Sequence, residues 1–288
     1  MGVRGVIFDV DGTLVRGNEP ITGADAGLAA VERAGLRRLF VSNNPMKPPA
    51  AYERRLGRAG ITAEASDVIT AGTVTAAYLT EHHASDEIAV VGESGLVDLL
   101  RSAGLSVTVV GSGTDTAGAA SSADRDAEAQ MDGGAAPDVL VASVDRDFNY
   151  ETLRESLWLL EDSSVTFVGT DPDIVIPAPE GDVPGSGAVI DAIANVAGRD
   201  PSIVLGKPSD TVRTMALDHL DLPPEDVLVV GDRLDTDVAL GERAGMTTAL
   251  VRTGVTDEAD LAASPIEPDY VLDSLAELPE LLADMGDV

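Results

Sequence analysis

Two carboxylates two residues apart, Asp9 and Asp11, stand in the run Phe8-Asp9-Val10-Asp11-Gly12-Thr13-Leu14, directly after the short apolar stretch Val6-Ile7-Phe8. If that stretch is a buried strand, both acids face one small volume at its carboxyl end, where open α/β sheets bind ligands. Leaving two charged carboxylates there without a cation is costly. A second acidic run, Gly231-Asp232-Arg233-Leu234-Asp235-Thr236-Asp237, follows another apolar stretch, Val227 to Val230. Should the two stretches be neighbouring strands, Asp232 faces Asp9 and Asp11 across the sheet edge. Oxygen donors alone, in a chain without cysteine, suit Mg²⁺, which prefers hard ligands and keeps several waters. Lys207, in Leu205-Gly206-Lys207-Pro208-Ser209, adds a compact positive charge of the kind that meets phosphate. Ser42 and Asn43 add neutral donors for phosphate oxygens. Taken singly, each also fits a plainer part: Asp-Gly is a common turn pair, Asp237 an N-cap, Ser42 and Asn43 a loop cap, Lys207 a surface lysine.

These groups sit among 288 residues with 50 acidic against 19 basic side chains, a formal charge of −31. A surface of that sign repels nucleic acid and anionic lipid, so neither is expected as a partner. An anionic substrate has to be drawn in by a local positive group. Lys47 and Lys207 are the only lysines, every other basic residue being arginine, and this makes the identity of Lys207 informative. The acidic excess is spread along the chain and resembles that of halophilic proteins, where salt screening makes self-repulsion tolerable. The lack of cysteine removes disulfides, thiolate metal sites and cysteine nucleophiles. There is no apolar run of about 18 residues and no secretory leader in the opening residues, so a cytoplasmic location is expected.

The scaffold that must position the acids is visible in the hydrophobic pattern. Val6 to Asp9 predicts a buried parallel strand, Ala24 to Ala34 a helix stopped by Gly35, and Leu36 to Val41 a second strand. Pro48 and Pro49 open a helix running to about Gly60, and another covers about Gly72 to His82. This alternation implies a doubly wound parallel sheet with helices on both faces. From Ile88 the pattern restarts, with strands at Ile88 to Val91, Leu105 to Val110, Val139 to Val144 and Val165 to Val168. Residues 111–137, rich in Gly, Ala, Ser and Asp, read as a long surface loop. The proline-rich stretch Gly169 to Gly187 reads as a return linker. The last third gives helices near Ala188 to Gly198, Asp210 to Leu220 and Asp237 to Ala244, strands Val227 to Val230 and Thr248 to Val251, and an acidic helical tail. The expected organisation is an α/β core domain made of residues 1–83 and 183–288, with a smaller α/β domain, 84–182, inserted between.

With these positions in order, the chain resembles the haloacid dehalogenase superfamily of phosphohydrolases. Asp9 to Thr13, Ser42-Asn43 at a strand end, Lys207, and Asp232 to Asp237 match its four motifs in sequence. Within that superfamily it is similar to the NagD, AraL and p-nitrophenyl phosphatase group. The stretches that carry this are Val41-Ser42-Asn43-Asn44-Pro45, Asp145-Arg146-Asp147-Phe148-Asn149-Tyr150, Gly206-Lys207-Pro208-Ser209 and Val230 to Asp237. The resemblance implies a Rossmannoid core with an α/β cap and Mg²⁺-dependent hydrolysis of small phosphomonoesters such as sugar phosphates, nucleotides or phosphoglycolate. It makes Asp9 the nucleophile and Asp11 the acid that protonates the leaving oxygen and then activates water. It gives Mg²⁺ to Asp9, the main-chain carbonyl of Asp11 and Asp232, and the phosphoryl group to Ser42, Asn43, Asn44 and Lys207. Asp237 then orients Lys207 or a metal-bound water, and Asp235 has no assigned role. A homodimer is compatible with the group. A phosphotransferase with the same intermediate and a phospho-accepting regulator are the alternatives, although Asp11 and the inserted domain speak against the regulator.

Overall fold

Strands Gly5–Asp9 and Val227–Gly231 are buried at every residue, which is why they read as unbroken apolar runs rather than alternating ones. In the computed structural model, which describes residues 2–111, 136–178 and 181–286, these two strands lie side by side at the centre of a six-stranded parallel sheet. Its order is Tyr270–Leu272, Thr247–Val251, Val227–Gly231, Gly5–Asp9, Arg37–Ser42, Val68–Thr70. The chain winds outward on one side of Gly5–Asp9 and later on the other, so the switch point falls between Gly5–Asp9 and Val227–Gly231. The register sets Phe8 opposite Val230 and Asp9 opposite Val41. Asp9, Ser42 and Asp232 therefore leave the sheet at the same edge. Phe8, Phe40, Tyr52, Leu56, Leu228 and Leu278 belong to the core on one face.

By compactness the chain divides into two units, one of Met1–Val74 with Leu205–Val288 and the other of Thr75–Val204. Helix Pro49–Arg58 of the first unit has Pro at its first turn, where the missing N–H costs nothing, and turns Tyr52, Arg55 and Leu56 inward. An arginine on that face is unexpected in an apolar stripe. Helix Asp210–Leu220 is capped by Ser209, whose side chain accepts from Val212 N. The predicted helix from Asp237 starts earlier, as a π-helical turn Leu234–Val238 that leads into Ala239–Ala244. The tail is not wholly helical: Tyr270–Leu272 forms an edge strand between helices Glu258–Ala263 and Leu278–Asp284.

The second unit has its own five-stranded parallel sheet, ordered Ile203–Val204, Thr166–Gly169, Val139–Ala142, Glu87–Val91, Ser106–Val109. Leu140, Phe167, Ile190 and Ile193 build its core against helices Tyr150–Leu160 and Ser186–Ala197. The supposed linker, Gly169 to Gly187, holds a short antiparallel hairpin, Val175–Ile176 with Val183–Pro184. Of the surface loop read at 111–137, residues 112–135 lie outside the described residues. Among the described residues, no helix is long and apolar enough to cross a membrane.

Asp171, in that former linker, is buried, with Thr170 Oγ1 3.0 Å from its Oδ2 and Asp173 N donating to Oδ1 at 3.4 Å. Burial, then the neighbouring Asp173 carboxylate, push its pKa up to about 8. The folded chain therefore holds a proton that the unfolded chain releases near its ordinary value, about 3.9. The stabilisation is complete below about pH 4 and is lost as pH rises through about 8. Denaturant melts across that window should show the decline in the parent and a flatter profile in Asp171→Asn. Parallel profiles would remove Asp171 as its source.

Candidate active site

Asp9 closes its strand with 8% of its surface exposed, and Lys207 reaches it with 2% exposed. The Lys207 Nζ donates to Asp9 Oδ1 at 2.6 Å, to Asp237 Oδ1 at 2.6 Å and to the Val41 carbonyl at 3.1 Å. All three ammonium hydrogens are thereby engaged. Asn43 fixes the lysine main chain: its Oδ1 accepts from Lys207 N at 2.7 Å and its Nδ2 donates to Lys207 O at 3.2 Å. Asp237 is held in turn by Arg233 N, which donates to its Oδ2 at 3.1 Å.

Asp232 is confined by its neighbours. Val255 N donates to its Oδ2 at 2.8 Å, and a Cβ on Gly254 would stand 1.8 Å from that same oxygen. Gly12, with φ +96°, approaches it from the other side, where a Cβ would stand 2.4 Å from Oδ2. Thr253 Oγ1 donates to the Gly12 carbonyl at 2.7 Å and ties the two loops together. Gly254→Ala should therefore destabilise the fold by about 1–3 kcal/mol. Gly57→Ala, a helical position with open space around it, should be neutral or slightly stabilising. Denaturant titration compares the two, and equal stability of both variants would show that the Asp232 loop yields freely.

The electrostatics follow from burial. Desolvation pushes the Asp9 carboxyl well above its ordinary range; Lys207 opposes this, while Asp237 and Asp232 add to it. Desolvation and the Asp237 charge raise Asp232 to about 7. Burial disfavours the Lys207 charge, yet Asp237 and Asp9 beside it hold the ammonium above the ordinary lysine range. Asp9, Asp232 and Asp237 each present a carboxylate oxygen, and these three lie within 4.8 Å of one another. Asp9 Oδ2 is buried and, among the described residues, has no hydrogen-bond partner. Three carboxylates against one ammonium, with an orphaned oxygen among them, fit a hard divalent cation such as Mg²⁺.

Asp11 is arranged differently. Its side chain is 52% exposed and its Oδ1 accepts from Arg55 Nη2 at 2.6 Å. Its carboxylate is not among the three that cluster. Ser42 Oγ shares a hydrogen bond with the Tyr52 hydroxyl at 2.8 Å and accepts from Asn44 N at 3.2 Å. Asn44 Oδ1 accepts from Met46 N and Lys47 N, both at 3.0 Å. Asp235 and Lys47 are exposed. The sequence reading missed Tyr52, Arg55 and Gly254. An arginine three residues after a tyrosine, on the inward stripe of a helix, was the available signal for the first two.

The family profile of haloacid dehalogenase-like hydrolases matches residues 6–106, and a second, HAD-hydrolase-like profile matches residues 204–278. The sugar-phosphatase AraL of Bacillus subtilis is 30% identical over 277 residues, covering 96% of this chain and 92% of that protein. The structure of p-nitrophenyl phosphatase from Archaeoglobus fulgidus is similar with a TM-score of 0.82 at 31% identity, over 98% of this chain and 100% of that one. NagD from E. coli K-12 is similar with a TM-score of 0.77 at 27% identity, over 96% of this chain and 98% of that one.

Proposed function

The chain belongs to the haloacid dehalogenase-like hydrolases, in their NagD-like phosphatase group, and we propose that it hydrolyses small phosphomonoesters with Mg²⁺ through a phospho-aspartate on Asp9. One observation carries this reading: Lys207 grips Asp9 Oδ1, while Oδ2 is buried with no partner among the described residues, and the Asp9 carboxylate clusters with Asp232 and Asp237. A carboxylate held by a lysine through one oxygen, with the other left free of hydrogen bonds, is a poor structural element and a good nucleophile.

In the first half-reaction an Asp9 oxygen bonds to phosphorus as the bond from phosphorus to the ester oxygen breaks. Asp11 gives its proton to that oxygen, and the alcohol leaves. In the second, the Asp11 carboxylate takes a proton from water as the water oxygen bonds to phosphorus. The phosphorus–Asp9 bond then breaks, orthophosphate leaves and Asp11 is again protonated. Lys207, with Ser42 and Asn44, holds the phosphoryl oxygens, while Asn43 and Asp237 keep Lys207 in place. Asp9, Asp232 and the Asp11 carbonyl would hold Mg²⁺, which when bound offsets the charge of the phosphate beside two carboxylates. Uncompensated, each like-charge pair at about 4 Å costs on the order of 4 kcal/mol at an intermediate dielectric.

The sugar phosphatase among the relatives supports phosphorylated sugars or similar small metabolites as substrates. On the family resemblance, selection of the leaving group is assigned to the Thr75–Val204 unit. The test is phosphate release from a panel of small phosphomonoesters with Mg²⁺ and then with excess EDTA. Release that ignores EDTA would remove the metal from the reading; no release by folded protein would leave a phospho-accepting regulator.

The charge of −31 supports a further part of this reading, adaptation to concentrated salt. Self-repulsion is screened within about 10 Å at 0.1 M salt and far more tightly at molar salt. The melting temperature should climb as potassium chloride is raised from dilute to molar. Equal melting in both would sink the halophilic assignment.

A further inference from the structure

We propose that Arg55 is a positioning residue for Asp11, fixing the carboxylate through Oδ1 and leaving Oδ2 as the oxygen that gives and takes the proton. This rests on the acid–base role assigned to Asp11 above. Arg55 is 8% exposed on the inward face of helix Pro49–Arg58, although its chemistry is foreign to a core. Its Nε donates to the Gly17 carbonyl at 2.6 Å and its Nη2 to Asp11 Oδ1 at 2.6 Å. The guanidinium also lies over the Tyr52 ring, 5.8 Å from its centroid. The guanidinium is a rigid planar fork, so holding one prong on a main-chain carbonyl fixes where the other prong points.

Asp11 needs such a hold because half of its side chain faces solvent. An exposed carboxylate turns between rotamers in picoseconds to nanoseconds, whereas proton transfer requires it within hydrogen-bond reach of the reacting oxygen. Among the described residues, Oδ2 of Asp11 has no hydrogen-bond partner, so the grip on Oδ1 does not block the working atom. The same helix face holds Ser42 through the Tyr52 hydroxyl at 2.8 Å. One rigid helix thus indexes both the acid–base group and a phosphate donor against each other.

The experiment compares two leaving groups. The nitrophenolate of p-nitrophenyl phosphate departs without a proton, whereas a glycerol phosphate needs one at its leaving alkoxide. Arg55→Gln should lower glycerol phosphate turnover on the order of 10- to 100-fold, part of what general acid–base catalysis contributes. The nitrophenolate burst, measured by rapid mixing, should stay within about 3-fold because it bypasses the acid. In an Asp11→Asn background, Arg55→Gln should add almost nothing. Arg55→Lys keeps the charge but loses the fork, so it folds more readily and should show a smaller loss with the same leaving-group selectivity. Equal losses on the burst and on glycerol phosphate turnover would overturn the proposal. So would an Arg55→Gln effect that persists undiminished without Asp11. If Asp11→Asn alone leaves glycerol phosphate turnover intact, the acid–base reading itself fails, a result separate from any behaviour of Arg55.

Discussion

Asp9→Asn is expected to abolish phosphate release, by on the order of 10⁴-fold or more, while the protein folds and melts at or above the parent's temperature. The amide keeps the shape of the carboxylate and can still accept from Lys207, but it is no nucleophile toward phosphorus. Retained stability follows from the environment: burial dominates the Asp9 ionisation, and Oδ2 is buried with no partner among the described residues. A buried unsatisfied group costs about 1–3 kcal/mol, and the amide nitrogen introduced in its place can donate toward neighbouring acids. Sites kept for function at the expense of stability commonly behave so. Phosphate release by a variant whose intact mass confirms the amide would remove Asp9 as nucleophile. A large fall in stability would instead show that the carboxylate supports the fold.

Lys207→Met should have the second largest effect, and on both properties. The ammonium is the shared partner of Asp9 and Asp237, each at 2.6 Å. Removing one member of a buried ion cluster strands the others and costs about 3–5 kcal/mol. Turnover should fall on the order of 10³-fold, as when a preorganised donor to a developing charge is lost. The pH dependence has a definite sign. Without the lysine, the Asp9 carboxyl, already pushed up by burial, binds its proton still more tightly in the folded state. The folded variant then holds more protons than the unfolded chain, so its deficit is smallest in acid and grows as pH rises. Asp9→Asn combined with Lys207→Met should recover part of the stability, because the two sites are in contact. Strict additivity in denaturant melts would mean that the cluster is not energetically coupled.

What could be read in advance, and what could not, divides along physical lines. Asp9 and Asp232 were visible because each follows an apolar run with no other purpose than a buried strand. Parallel pairing of Gly5–Asp9 with Val227–Gly231 brought them to one edge. Strands Val68–Thr70 and Tyr270–Leu272 are three residues long, and the latter is mostly exposed at the sheet edge. Neither leaves a periodic signal of its own. The hairpin within Gly169 to Gly187 was hidden by prolines, which edge strands accommodate readily. Asn43, placed at the phosphate by the resemblance, also binds the main chain of Lys207, 164 residues away, through its side-chain amide. Arg55 reads as an ordinary polar helix residue until Gly17 and Asp11 are seen to need its donors. Pairings of this kind belong to the tertiary structure and have no trace in local pattern.

The bond from Lys207 to Asp9 joins residues 198 apart, and its consequence concerns the order of events during synthesis. The ribosome releases the Asp9 strand, the Asp11 loop and the Ser42 strand first, and the whole Thr75–Val204 unit must follow before Lys207 exists. Asp232, its Val255 anchor and Gly254 come later still. A nascent chain therefore carries an Asp9 without its Lys207 partner, and the proposed reaction should be out of its reach halfway through translation. Closing so long a loop adds only about 0.6 kcal/mol per doubling of its length, but contacts of such separation form late and slowly. On the proposed reading the site is therefore assembled only when the segments around Asp9 and Lys207 meet, after the Thr75–Val204 unit between them has been made.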